Sequence, residues 1–178
     1  NYGYKEIVLT GINLGLYSYN DYDLIDVLSA LSEIKGLERI RLSSIEPDDM
    51  LEKVIYQMAK NPKICPFLHV PLQSGCNSVL KRMGRKKTCS EYENYIKMAK
   101  SAIPRLCIGS DIIVGFPGET EKDFNDTLNL VKKVGFSVAF VAQYSTRPGT
   151  AAEKLFKDSV PPQIKKQRFK ILDNLINK

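Results

Sequence analysis

Short β-like runs return about every 30 residues along this chain, and a helical pattern fills each gap between them. The runs are Glu6 to Thr10, Arg39 to Ser43, Phe67 to Val70, Asp111 to Val114 (with an upstream limit near Leu106) and Phe136 to Val141. A strand–helix–strand rhythm of this kind constrains the fold more than any other feature of the sequence. It favours a parallel sheet with right-handed helical crossovers, an α/β fold.

The intervening helices carry readable ends. Leu24, Val27, Leu28, Leu31 and Ile34 form an apolar stripe at helical period, with Gly36 as its stop. Asp48 is placed to cap the next helix, whose stripe is Leu51, Val54, Ile55 and Met58 and which Pro62 closes. Thr88 with Glu91, and Thr120 with Asp123, make two capping-box patterns. Gly135 suits the left-handed position that ends the second of these helices. From 157 to 163 the pattern breaks at Pro161-Pro162, read as a linker or turn, and an amphipathic helix over about 164–176 follows. These stripes read as core.

A chain of 178 residues fits one domain with a sizeable core. No apolar run approaches the roughly 18 residues that span a membrane, and no secretory signal is visible, so a cytoplasmic protein is expected. The chain opens on Asn rather than Met, which suggests a piece of a longer protein. Cys65, Cys76, Cys89 and Cys107 lack the close spacing of a zinc knuckle or redox pair and read as reduced, mostly buried thiols. The net charge of +6 permits a polyanionic partner such as RNA, and equally describes a solvated basic surface.

In parallel α/β folds chemistry gathers at the carboxyl ends of strands, where loops are free of packing duties. Small polar residues and glycines collect at those ends here: Thr10 to Gly15, Ser43 to Pro47, Pro71 to Gly75, Gly115 to Glu119, and Gln143 to Gly149. Together they point to a ligand touching most of the strand ends. Gly115 to Thr120 is not a P-loop, since no Gly-Lys-Ser/Thr follows. It reads either as a turn with a helix cap, or as backbone left bare at Gly115 so that a flat ligand such as a purine can approach. His69, the single histidine, is either a ligand or proton-transfer group or a satisfied core side chain. A hydrolytic triad or histidine-bound metal has little support. Lys81 to Lys87 holds five positive charges in seven residues, a solvated loop or a phosphate-contacting one.

Several of these segments resemble the radical S-adenosylmethionine methylthiotransferases. They are Thr10 to Gly15, Arg39 to Pro47, His69 to Gly75, Val79 to Met83, Ser110 to Thr120 and Tyr144 to Thr150, in family order over nearly the whole chain. The resemblance implies a partial (β/α)6 TIM-like radical SAM barrel over residues 1–156, covering strands two to six. Residues 157–178 would then be a linker and C-terminal helix. It implies S-adenosylmethionine as cofactor and iron–sulfur clusters in the full-length protein. Their cysteine loop would lie upstream of Asn1, with no metal ligand in this chain. The Arg39 to Pro47 segment is most similar to the branch acting on threonylcarbamoyladenosine in the tRNA anticodon loop. The branches acting on isopentenyladenosine or on a ribosomal-protein aspartate, and a cluster-free RNA- or ligand-binding barrel, are the alternatives. The family reaction takes hydrogen from C2 of the adenosine with a 5′-deoxyadenosyl radical, then inserts and methylates sulfur.

By position, the resemblance assigns Gly11 and Asn13 to the methionyl end of the cofactor. Ser43, His69 and Gln73 become candidates for polar contacts to the methionyl group or ribose. Asp111, Gly115, Gln143, Tyr144 and Ser145 would flank ribose and adenine. Asp111 stands where many relatives have glycine, and Glu119 is offset by one from the general pattern, so backbone contact to adenine is the firmer expectation. Lys81, Arg82, Arg85, Lys86 and Lys87 would contact the tRNA backbone.

Overall fold

The computed structural model describes residues 3–177; Asn1, Tyr2 and Lys178, the ends of the two expected regions, lie outside them. In the first part of the chain the elements are β1 (Glu6–Leu9), a 3-10 turn (Leu14–Leu16), β2 (Ser18–Tyr19), β3 (Tyr22–Asp23), α1 (Leu24–Ser32), β4 (Arg39–Leu42), α2 (Asp49–Lys60) and β5 (Phe67–His69). After these come α3 (Asn77–Arg82), α4 (Cys89–Ala102), β6 (Cys107–Val114), α5 (Glu121–Val134), β7 (Val138–Gln143), α6 (Ala151–Leu155) and α7 (Pro162–Ile176). They form two compact units. One holds residues up to 71 and 94–108, the other 72–93 and 109 onward.

In the first unit β1 and β4 run parallel, with Ile7 opposite Ile40 and Leu9 opposite Leu42. The crossover between them is α1. Its N-terminus is a capping box: Asp23 accepts from the amides of Ile25 and Asp26, and Asp26 accepts from the Asp23 amide. Expected ends shift slightly. The stripe predicted to run to Gly36 stops at Ser32, because the chain enters a turn in which the Leu37 amide bonds the Ile34 carbonyl and Gly36 takes a φ of +83°. Ile34 is therefore exposed. α2 follows the prediction: Asp48 caps it by accepting from the Met50 amide, and Leu51, Val54, Ile55 and Met58 are buried. An unforeseen hairpin joins β2 to β3, with Asn20 and Asp21 at positive φ, the backbone a two-residue turn demands.

Alternation along β1 and β4 buries Ile40 and Leu42 and leaves Val8, Arg39 and Arg41 on an exposed face. Glu6 bridges the two arginines there, at 2.5 Å to Arg39 Nε and 2.8 Å to Arg41 Nε.

In the second unit β6 and β7 run parallel, Asp111 opposite Phe140 and Val114 opposite Gln143. β7 begins at Val138 rather than Phe136, since Gly135 at φ +62° ends α5 and a short link follows. The Thr120–Asp123 capping box forms as expected at the start of α5, and Thr88 and Glu91 exchange the corresponding bonds at the start of α4. The basic stretch is not wholly a loop: Lys81 and Arg82 close α3, which the sequence reading did not place. Pro162 is the first residue of α7 rather than part of a linker, and α7 lies in this unit, where Asn177 donates to and accepts from the Ala139 backbone.

Candidate functional site

The first unit gathers polar groups after the carboxyl ends of β1, β4 and β5. The Ser43 amide bonds the Leu9 carbonyl at 2.9 Å, and the Ile45 amide bonds the His69 carbonyl at 2.9 Å. Those two bonds lock the serine pair between neighbouring strands. Ser44, which the sequence reading passed over in favour of Ser43, makes the direct contact: its Oγ lies 2.6 Å from His69 Nδ1. A hydrogen bond at Nδ1 fixes the ring's orientation. Ser43 Oγ and Asn13 Oδ1 are each buried with no hydrogen-bond partner. Buried polar oxygens are normally satisfied, so two orphans among the predicted residues fit a polar ligand. Gly11, two residues before Asn13, is exposed, with only Leu14 atoms near the place of a Cβ.

The second unit has two clefts that share Ile113, Phe116 and Ala152. One, about 280 Å³, is lined also by Ala142, Gln143, Tyr144, Ser145, Arg147 and Thr150. Two of its walls are aromatic: the Phe116 ring meets Tyr144 edge-on at 5.0 Å, and on the side of the other cleft it meets Phe156 at 6.0 Å. The other, about 460 Å³, adds Gln73, the basic residues Lys81, Arg82 and Arg85, and an apolar side from α6. Gln73 sits at φ +64°, unusual for a residue with a side chain. Its amide donates to the Asp111 carbonyl and its carbonyl accepts from the Ile113 amide, and those two bonds hold the strained backbone in place.

The predicted residues fall unevenly on these clefts. Gln143, Tyr144 and Ser145 line the smaller, and Gln73, Lys81, Arg82 and Arg85 the larger. Asp111 lines neither, and its backbone carbonyl serves Gln73. Gly115 lines neither as well, and the surface expected to lie bare for a flat ligand is occupied. A Cβ there would meet Lys165 Cγ at 2.4 Å, so the lysine stem of α7 crosses the glycine. Lys86 is exposed, and Lys87 pairs with Glu91 at 3.6 Å. Arg82 donates to the Gly118 carbonyl at 3.2 Å and lies 3.9 Å from Asp123.

Two ion pairs on α7 brace the loop after β6, and the sequence reading missed both. Glu119 accepts from the Gly115 amide at 2.9 Å and from Arg168 at 2.7 Å, with both side chains almost wholly buried. Burial pushes the Glu119 carboxyl up, while the Gly115 amide and Arg168 favour its charged form. Lys165 Nζ pairs with both oxygens of Asp158 and donates to the Tyr144 carbonyl at 3.1 Å. Nearby, burial works against Asp123, but bonds from Cys76, Thr120 and Ser78 hold its pKa down at about 2. Burial, with Cys76 adding to it, pushes the Cys89 thiol up to about 11, an inert thiol at neutral pH.

Among the described residues no group of three or more His, Cys, Asp or Glu side chains could hold a metal ion, so they offer no seat for an iron–sulfur cluster. No described helix is long and apolar enough to cross a membrane.

Parallel strand pairs joined through helices, with polar residues after their carboxyl ends, define an α/β fold. Residues 1–131 match the family model of the Radical SAM superfamily, and the chain belongs to that superfamily. Among curated proteins it is 44% identical, over 96% of its length, to the threonylcarbamoyladenosine tRNA methylthiotransferase MtaB of Thermotoga maritima. It is 42% identical over 99% of its length to the tRNA-2-methylthio-N(6)-dimethylallyladenosine synthase of Clostridium tetani. The chain spans 39% of the length of each. Among solved structures it is similar to coproporphyrinogen III oxidase HemN of Escherichia coli, a radical SAM enzyme, with a TM-score of 0.67, 19% identity, and coverage of 85% of this chain and 35% of that one. The archaeal Elp3 of Methanocaldococcus infernus gives 0.63 at 16% identity, covering 94% of this chain and 44% of that one. The fold is thus the expected one, a partial TIM-like radical SAM barrel, and the family resemblance to the methylthiotransferases holds.

Proposed function

We propose that this chain is the S-adenosylmethionine-binding part of a cytoplasmic tRNA methylthiotransferase that places a methylthio group on C2 of threonylcarbamoyladenosine next to the anticodon. The observation that carries this reading is the match to the Thermotoga enzyme across 96% of the chain. The Arg39 to Pro47 segment favours that acceptor. The similarity to dimethylallyladenosine synthases, at 42% over 99% of the chain, supports the isopentenyl acceptor as the second reading.

S-adenosylmethionine would supply the 5′-deoxyadenosyl group for hydrogen abstraction from one molecule, leaving methionine, and the methyl group from a second, leaving S-adenosylhomocysteine. The residues of this chain hold and orient it. Asn13 Oδ1 and Ser43 Oγ, buried without partners, suit the ammonium and carboxylate of the methionyl end, and His69, its ring oriented by Ser44, is a polar neighbour for that end. Taken by itself, the second unit offers a cleft walled by Phe116 and Tyr144, of the kind that suits an adenine ring, with Gln143 and Ser145 as polar neighbours. Asp111 acts through its carbonyl, which fixes Gln73 for the ribose. Gly115 is a conformational requirement under Lys165 more than a contact surface. Apolar walls matter because water admitted to such a site permits side reactions. Lys81, Arg82, Arg85, Lys86 and Lys87 supply phosphate contacts, which makes tRNA affinity fall with salt. Iron–sulfur ligands come from the rest of the protein, so this chain alone is inactive.

The test is mass spectrometry of tRNA nucleosides from a strain lacking the gene. Loss of 2-methylthio-threonylcarbamoyladenosine supports the reading. Loss of the methylthio-isopentenyl nucleoside instead transfers it to the second acceptor, and an unchanged set of methylthio nucleosides refutes both.

A further inference from the structure

Lys165 is a costly residue for the job of docking a helix. Its side chain is 7% exposed, and a buried ammonium must recover its lost hydration from its partners. A leucine would dock α7 at least as well, as Leu172 does without exposure two turns further along the same face. What the lysine does that leucine could not is join two strand ends. Its stem lies across Gly115, with Cγ, Cδ and Cε at 2.4, 3.0 and 3.2 Å from where a Cβ would stand. Its ammonium donates to the Tyr144 carbonyl at 3.1 Å and lies 5.2 Å from the centre of the Tyr144 ring. The Tyr144 amide in turn bonds the Val114 carbonyl at 2.8 Å. Both backbone groups of Tyr144 are therefore fixed, one by β6 and one by α7. Asp158 holds the ammonium in place through both oxygens, at 2.7 and 2.6 Å.

We propose that Lys165 is a positioning residue for the adenosine end of S-adenosylmethionine: it sets the backbone of Gly115-Phe116 and of Tyr144, whose rings wall the 280 Å³ cleft. The inference rests on the reading that this cleft receives the nucleoside. Lys165 itself touches no ligand. Without its ammonium the Tyr144 carbonyl loses a charged donor and the loop after β7 is free to move away from Phe116. A nucleoside would then have to order the cleft as it binds, and affinity falls by that cost.

The test measures dissociation constants by titration calorimetry on the full-length protein, with S-adenosylhomocysteine and with 5′-methylthioadenosine, which carries the nucleoside without the amino-acid group. Lys165→Met keeps the stem and removes the charge. It should weaken both ligands by the same factor, about tenfold, the scale of one charged hydrogen bond. Leu172→Ala, chosen to lower thermal stability at least as much, should leave both constants unchanged. Asp158→Asn, whose carboxylate is one-third exposed and so tolerates replacement, should weaken both ligands by about threefold and carries the test if Lys165→Met does not fold. The proposal is overturned if Lys165→Met binds like the wild type, if Leu172→Ala loses as much affinity, or if only the homocysteine ligand is weakened. A wild-type protein that binds neither ligand overturns the cleft reading itself, and the proposal with it.

Discussion

Replacing Glu119 by Gln should destabilise the second unit by about 2–3 kcal/mol. Breaking a buried ion pair by removing one partner commonly costs about 3–5 kcal/mol, because the other charge is left uncompensated. Here the carboxylate and Arg168 are 2.7 Å apart, with side chains 2% and 6% exposed, so solvent screens the pair little. Two features reduce the cost. The glutamine oxygen can still accept from the Gly115 amide, and Arg168 keeps the Glu119 carbonyl at 3.2 Å and Glu121 at 3.2 Å. The Glu121 side chain is 73% exposed, so that second pair contributes little and does not replace the first. The assay is urea unfolding followed by circular dichroism, with the slope checked for constancy across variants. Glu119→Gln combined with Arg168→Met should recover about 1 kcal/mol or more of the loss, since the orphaned charge is gone. A single-variant cost below about 0.5 kcal/mol, or strictly additive costs in the pair, would refute a buried pair bracing this loop.

Three other outcomes follow from local geometry. Gly75→Ala should cost about 2–3 kcal/mol in the same urea assay, since its Cβ would sit 2.5 Å from the Thr127 Cα, and backbone cannot yield as a side-chain tip can. Asp23→Ala should cost about 1 kcal/mol, because the first-turn amides of Ile25 and Asp26 lose their acceptor; a smaller loss with Asp23→Asn would identify capping as the cause. Asp123→Asn should remove stability that is present at neutral pH and absent in acid. The folded pKa of about 2 lies below the ordinary value of 3.8, so the carboxylate's contribution is complete above pH 3.8 and fades as pH falls towards 2. Urea midpoints of wild type and variant should therefore converge over that interval, and a constant gap would contradict it.

The alternation of strands and helices was legible in the sequence because it is local. Caps at Asp48, Thr88 and Thr120 need only residues two or three apart, and each forms locally. What stayed hidden depends on distant partners. Lys165 and Arg168 read as ordinary charges on an amphipathic helix, yet they are buried because Asp158, Tyr144 and Glu119 meet them. Nothing near Gly115 in sequence announces that a lysine 50 residues on would cover it. Ser44 was one residue from the serine that was chosen, and only the register of β4 against its neighbours decides which of the pair faces His69. The hairpin at Asn20-Asp21 did carry a signal, two turn-forming residues between Tyr19 and Tyr22, and it is too short for periodicity to register.

The most direct measurement follows one hydrogen. tRNA carrying threonylcarbamoyladenosine with deuterium at C2 is incubated with the full-length reconstituted protein, S-adenosylmethionine and a low-potential reductant. The 5′-deoxyadenosine formed is then weighed by mass spectrometry. The account predicts that it gains deuterium in step with methylthio product. Turnover that yields 5′-deoxyadenosine without deuterium, or methylthio product that retains it, would contradict the assignment of this chain to C2 methylthiolation of tRNA.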